Sequence, residues 1–549
     1  MASDGFRRFW SLLALAALAA PVALAAPRAA GLRAAERPHI VVILADDLGF
    51  ADLGCYGSEI PTPRLDALAA GGLRFTQFYN TGRCCPTRAA LLTGLYPHQV
   101  GVGHMLADEG LPGYRGRLDD SCVTVAEALR GAGYFTAMAG KWHVGQRHGV
   151  IPSRRGFDRS LHAPAGGFYF ANAERTELFL DGERLAADDP RLPSPWYSTD
   201  LWTSQGLRFV DEALQQRKPF FLYLAHNAPH FPLQAPATTL ADFEGAYLAG
   251  WDALRAARIQ RQVQLGLVSP RWQPAARPAA VAAWDALDEA PRKRFDRLMG
   301  AYAACVARLD QSVGALVDGL RQRDVLDDTL ILFLSDNGGN GESGPQGRSV
   351  GDPARPDSNW FCGESWAWLQ NAPFRLYKHY NHEGGIATPL IAHWPAGIAA
   401  RGELRGQPGH VIDVMATCVD LAAARLPAPA DGREATPLEG RSLRPAFDDQ
   451  PLPRDALFWE HEGHAAVREG SWKLVRLGSE GPWELYDLDA DRTEQHDLAE
   501  RFPQRVQRLQ ELWNSWAQRT GVVPAPSRRP PGSPPPADSP APARGAAAG

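Results

Sequence analysis

Lysine is nearly absent from this chain. Lys and Arg together number 57 among 549 residues, and only five are lysine: Lys141, Lys218, Lys293, Lys378 and Lys473. Arg therefore supplies almost every cation. The two side chains differ in hydration and in readiness to give up a proton, so a lysine inside a motif is informative here. Cysteine is also sparse. Seven thiols are too few for a disulfide scaffold, and an odd number leaves at least one outside any pairing. Neither sign of charge is in excess. A net charge of -5 and an isoelectric point near 6.3 exclude bulk nucleic-acid binding. Beyond the N-terminal stretch no segment approaches the ~18 apolar residues of a membrane-spanning helix, and no internal repeat is present. Hydrophobic residues make up 45 % and charged residues 22 %, which excludes a disordered chain, a collagen and a coiled-coil rod.

The two ends differ from the body. Arg7 and Arg8 precede an apolar run from Phe9 to Ala25, closed by the small-x-small triplet Ala23-Leu24-Ala25. Residues 1–25 thus read as a cleaved secretory signal. Pro21 breaks a run already short for a bilayer. The expectation is a periplasmic or secreted protein with no stable membrane insertion after cleavage. Residues 524–549 are rich in Pro and Ala and bury too little to offset their ordering entropy, so a disordered tail is expected.

Between these ends, Ile40–Ala45 is a continuous, β-branched apolar run, the pattern of a parallel strand buried on both faces. Phe220–Leu224 and Leu330–Leu334 repeat it, and Tyr134–Met138 does so more weakly. Helical patterns at Thr124–Ala132 and Tyr302–Leu320 lie between them. The alternation predicts an α/β fold, a large mostly parallel sheet sandwiched by helices, over residues 37–430. From about Ala456 short strands separated by turns take over. They are followed by Val506, Leu509, Trp513 and Trp516 on one helical face. A smaller C-terminal antiparallel sheet plus helix is expected within residues 431–523.

In such sheets ligands bind beyond the carboxyl ends of the strands. Two strands run into acidic pairs there, Asp46-Asp47 and Asp336-Asn337. Three carboxylates and an amide oxygen, if convergent, make a hard-oxygen site for Ca²⁺ or Mg²⁺. Each pair alone is equally a turn or a helix cap. In Cys84-Cys85-Pro86-Thr87-Arg88, Pro86 suits the first turn of a helix and Gly94 its end. Cys84 then sits at an anion-favouring helix N-terminus, with Arg88 one turn on. Lys141 and His143 are two apart, so an extended segment would point both the same way. His230 follows the strand Phe220–Leu224, and His226 nearby reads as structural.

The segment Cys84-Cys85-Pro86-Thr87-Arg88 through Leu92-Thr93-Gly94 resembles the signature of the type I, formylglycine-dependent sulfatases. Thr87 stands where Ser is commoner in that family. Further motifs follow the same order: Ala45-Asp46-Asp47-Leu48-Gly49, Gly140-Lys141-Trp142-His143-Val144-Gly145, Ala228-Pro229-His230, Ser335-Asp336-Asn337-Gly338 and Leu376-Tyr377-Lys378. The likeness spans roughly residues 37–520 and is strongest to bacterial arylsulfatases of the alkaline phosphatase superfamily. It implies hydrolysis of sulfate esters by a formylglycine gem-diol made from Cys84, through a covalent sulfo-enzyme. It implies Ca²⁺, with Mg²⁺ second, held by Asp46, Asp47, Asp336, Asn337 and the modified Cys84. Arg88, Lys141, His143, His230 and Lys378 would complete the catalytic set. A small sulfate ester is then the substrate and a formylglycine-generating enzyme the maturation partner. The alternative is a phosphodiester or phosphonate monoester hydrolase of the same superfamily.

Overall fold

Every residue from Val41 to Ala45 is fully buried, and the reason is a sheet covered on both faces. The computed structural model describes residues 37–172 and 174–523. The signal and tail expectations concern residues outside that range. The main strands and helices are β1 (His39–Ala45), β2 (Leu73–Tyr79), α1 (Cys84–Thr93), β3 (Phe135–Lys141), β4 (Arg159–Ala163), α2 (Ser198–Gln215), β5 (Phe220–Ala225), α3 (Glu289–Gln322), β6 (Thr329–Ser335), β7 (Ala387–His393) and α4 (Ile412–Leu421). The C-terminal part adds β8 (Leu457–His461), β9 (His464–Glu469), β10 (Trp472–Arg476), β11 (Trp483–Asp487) and α5 (Pro503–Thr520).

The large sheet runs β2-β7-β6-β1-β5-β3-β4 through its centre, with short strands at both edges. β1 pairs in parallel with β5 and β6, and β3 in parallel with β5 and β4. β7 is antiparallel to both β6 and β2. Because side chains alternate along a strand, β1 feeds two separate cores. Val41 and Ile43 pack in one core with Phe209 and Val210 of α2 and Val313 and Leu316 of α3. Ile40, Val42 and Leu44 pack in the other with Leu91 and Leu92 of α1 and Val414 and Met415 of α4. The expected helix-sheet-helix sandwich is thus present. No described helix is long and apolar enough to cross a membrane.

Strands β8 to β11 form a four-stranded antiparallel sheet in chain order. Leu509, Trp513 and Trp516 of α5 cover one face with Val467 and Leu474. Trp459 faces the large sheet, its indole donating to the Asn80 carbonyl at 2.8 Å and its ring edge-on to Tyr79.

The junction between the two sheets is ionic and buried. Glu383, fully buried, accepts from Lys473 at 2.9 Å, Arg492 at 2.7 Å and the Tyr79 hydroxyl at 3.0 Å. Glu494 takes a second contact from Lys473 at 2.8 Å. Burial opposes ionisation of Glu383, but Lys473, Arg492 and Arg468 outweigh it and hold its pKa down to about 2, from 4.5. A carboxylate depressed in the folded state binds fewer protons there than when unfolded, so its stabilisation is complete above pH 4.5 and fades as pH falls towards 2. The melting-temperature gap between the native chain and Glu383→Gln should therefore shrink between about pH 5 and pH 3. A gap that stays constant over that range would remove this role.

Candidate active site and metal centre

β1 and β6 lie side by side in parallel, with Ala45 opposite Ser335. Their carboxyl ends therefore deliver Asp46-Asp47 and Asp336-Asn337 to one point. The backbone turns sharply there: Asp47 has φ 66°, a left-handed conformation rare outside glycine and characteristic of functional sites when neighbours enforce it. Tyr302 enforces it from α3, its hydroxyl 3.1 Å from the Asp47 carbonyl and 2.7 Å from Asp52. Gly49 is required next, because a Cβ would meet the Gln370 carbonyl oxygen at 2.3 Å.

Cys84 is the first residue of α1, and Gly94 ends that helix in the left-handed conformation, φ 65°. Arg88, one turn on, is fully buried. Its Nη2 and Nε reach Asp336 Oδ2 at 2.7 and 3.1 Å, Nη2 lies 3.4 Å from Asp46, and Nη1 donates to the Lys141 carbonyl. Lys141, the last residue of β3, donates to Asp46 Oδ2 at 2.6 Å. Lys378 lies 2.8 Å from Asp47 Oδ1. Three buried cations thus oppose three buried carboxylates, the arrangement that makes burial of so much charge tolerable. Burial raises Asp46, but Lys141, His230 and Arg88 outweigh it and hold its carboxyl below the usual range. Asp336 goes the other way, raised by burial and by the charge of Asp46.

His143 corrects the strand argument. It does not continue the pleat of β3 but turns with φ 58°, and this turn, not alternation, brings its ring to Cys84. Burial and Lys141 push its pKa down to about 4, so the imidazole is neutral and able to accept a proton. A hydrogen bond from Cys85 is the main force lowering the Cys84 thiol, with Lys141 and His143 adding to it against burial. Burial raises Cys85 itself. His230 donates Nδ1–H to the Phe231 carbonyl and turns Nε2 towards Asp47 Oδ2, 3.7 Å away. His226 is buried with its pKa lowered to about 3 by burial, in keeping with a structural role. All seven cysteines are free thiols.

The oxygens fit a hard cation. Asp46 Oδ1 and Asn337 Oδ1 are buried without a hydrogen-bond partner. Asn337 donates Nδ2–H to Asp47 at 2.7 Å, which fixes its amide oxygen as the free end. Unpaired buried oxygens beside carboxylates are costly unless a cation takes them, and an all-oxygen donor set suits Ca²⁺.

Several neighbours escaped the sequence reading. Asn340 donates to Asp47 Oδ2 at 2.7 Å. Glu342 contacts Lys378 at 3.4 Å, Arg83 at 2.5 Å and His379 at 2.8 Å. Burial would raise Glu342, but Lys378, His379 and Arg83 hold it well below the usual carboxylate range. Phe231 stacks on Phe361 at 4.0 Å, with the Lys378 ammonium 5.6 Å from the Phe231 ring centre. For Arg83, His379, Asn340 and Glu342 the only signal in the sequence is closeness to the motifs: Arg83 precedes Cys84, His379 follows Lys378, and Asn340 and Glu342 follow Asn337.

Known proteins resemble the chain over most of its length. The family model "Sulfatase" matches residues 38–424, and the model "N-sulphoglucosamine sulphohydrolase, C-terminal" matches residues 374–518. The chain is 35 % identical to an arylsulfatase of Klebsiella aerogenes over 430 residues, 74 % of this chain and 91 % of that one. It is 30 % identical to human arylsulfatase A over 557 aligned positions, 92 % of this chain and 93 % of that protein. Among solved structures, Ps i-CgsB in complex with k-i-k-neocarrahexaose superposes with TM-score 0.67 at 27 % identity, covering 89 % of this chain and 94 % of that one. A phosphonate monoester hydrolase of Agrobacterium radiobacter shares the fold, with TM-score 0.57 at 19 % identity over 88 % of this chain and 96 % of that one.

Proposed function

We propose that this chain, which belongs to the sulfatase family and is a sulfuric ester hydrolase, uses Cys84 oxidised to formylglycine as its nucleophile. The observation that carries this reading is the convergence of Cys84 with Lys141 and His143, and of Arg88 with Asp46 and Asp336, at one set of strand ends. Asp46, Asp47, Asp336, Asn337 and the side chain made from Cys84 would hold Ca²⁺. When bound, such an ion polarises the sulfate and lowers the cost of ionising the attacking hydroxyl.

The chain's own groups divide the remaining work. Arg88 and Lys141 keep positive charge on the Cys84 side of the carboxylates and balance the sulfate. Once hydrated, the modified Cys84 would supply as nucleophile a hydroxyl that has lost its proton to solvent; that oxygen would bond to sulfur as the sulfur–oxygen bond to the alcohol breaks, leaving the sulfate on the enzyme. The leaving oxygen takes a proton from His230 Nε2, with Lys378 beside it. His143, neutral, then accepts the proton of the second hydroxyl. The carbon–oxygen bond to sulfate breaks, sulfate departs and the aldehyde returns. Phe231 and Phe361 offer the leaving group an apolar wall next to His230 and Lys378.

Residues 1–25 would direct the chain to the periplasm or the exterior, and a formylglycine-generating enzyme would mature it. The test is a direct comparison of para-nitrophenyl sulfate with bis-para-nitrophenyl phosphate, using protein from cells that mature sulfatases. The sulfate should be hydrolysed with the higher kcat/KM. Preference for the diester would replace this reading with the phosphodiester or phosphonate hydrolase.

A further inference from the structure

A second cluster lies outside the oxygen-rich centre. The loop at His104 meets the tight turn at Glu462-Gly463 that joins β8 to β9. His461, the last residue of β8, is fully buried, and neither of its ring nitrogens has a hydrogen-bond partner. His104 is 8 % exposed and in the same condition. Its Nδ1 is 3.5 Å from Glu109 and its Nε2 3.3 Å from Glu462 Oε1, both without hydrogen-bond geometry. Glu462 Oε1 is also 3.7 Å from His461 Nε2. The His104 and His461 rings are nearly parallel, 5.4 Å apart.

Buried polar atoms left without a hydrogen-bond partner are uncommon in folded proteins, and a bound ligand is one way to satisfy them. We propose that His104, His461 and Glu462 form a second metal site that takes a divalent transition-metal ion of the zinc type. One donor atom from each lies within 4.8 Å of the others. A tetrahedral zinc with bonds of about 2.0–2.1 Å needs its donors about 3.4 Å apart, so small side-chain rotations close the set. Two imidazole nitrogens and one carboxylate oxygen favour zinc over calcium, the opposite of the Asp46, Asp47, Asp336 and Asn337 centre.

The surroundings support the assignment. His379 lies 2.7 Å from Glu462 Oε2, which turns Oε1 towards His104 and His461, and its other nitrogen is 2.8 Å from Glu342. An outer partner that orients a ligand carboxylate is a usual companion of a metal site. Filled, the site would tie the loop carrying His104 to the C-terminal sheet beside the catalytic Lys378. The proposal stands on these residues and not on the hydrolase reading.

The test uses the full matured chain with its calcium retained. Protein is dialysed against zinc chloride, and bound zinc and calcium are counted by mass spectrometry of the metals. A parallel sample takes cobalt chloride, whose visible absorption reports tetrahedral nitrogen ligation. The native chain should retain one zinc, and cobalt should give the tetrahedral spectrum. His104→Ala, in a loop, should weaken zinc binding at least tenfold with calcium unchanged, and Glu462→Gln should do the same. The proposal is overturned if the native chain retains no zinc, or if both variants bind zinc as the native chain does. A change in KM for an aryl sulfate in His104→Ala, with no zinc bound by either protein, would also overturn it and make the cluster a wall of the substrate pocket.

Discussion

Cys84→Ala should fold normally and lose sulfatase activity by about four orders of magnitude or more in kcat/KM, the scale of losing a nucleophile. Cys84 is small and buried at the first position of α1, so alanine leaves little space and disturbs no cap. Cys84→Ser separates the chemistry further. A serine hydroxyl in the same place can attack sulfur once, but the ester it forms lacks a second hydroxyl on the same carbon. His143 then has no proton to remove that would expel sulfate, and the sulfated protein should accumulate. Intact-protein mass after incubation with an aryl sulfate reads this directly. Sustained turnover by the serine variant would remove the need for the aldehyde.

Arg88→Ala should be the next most damaging change. The guanidinium sits between Asp336 and Asp46, with no exposed surface. Its loss leaves buried carboxylate charge without its partner, which typically costs about 3–5 kcal/mol of stability. It also removes a preorganised cation from the transition state, worth about 10²–10³ in kcat/KM. Arg88→Lys would restore charge but not the two-pronged contact of Nε and Nη2 with Asp336, so it should recover stability more than activity. Melting temperature and kcat/KM, measured on the same preparations, separate the two effects. An alanine variant within about threefold of the native kcat/KM would contradict the electrostatic role.

Much of the fold was legible because the central strands carry their burial in their composition. Ile40–Ala45 and Leu330–Leu334 are apolar throughout, and a strand covered on both faces hides every residue of such a run. That β1 and β6 are neighbours is not written in either segment, yet it is this pairing that joins Asp46-Asp47 to Asp336-Asn337. His143 was expected beside Lys141 through strand alternation. It reaches Cys84 instead through a left-handed turn, a conformation that a histidine side chain does not announce. Glu383 looks like an ordinary surface acid in the sequence. Its importance comes from Lys473 and Arg492, about 90 and 109 residues away, which only the docked C-terminal sheet brings to it. The same holds for Glu342 and Asn340, whose partners are distant in the chain.

The central claim is that Cys84 becomes an aldehyde. Trypsin cuts after Arg83 and Arg88, releasing Cys84-Cys85-Pro86-Thr87-Arg88 as one peptide. Its mass should be measured on protein from the native host or from cells with the sulfatase-maturing system. The account predicts formylglycine at the first position and a thiol at the second. An unmodified Cys84 in protein that hydrolyses sulfate esters would contradict it.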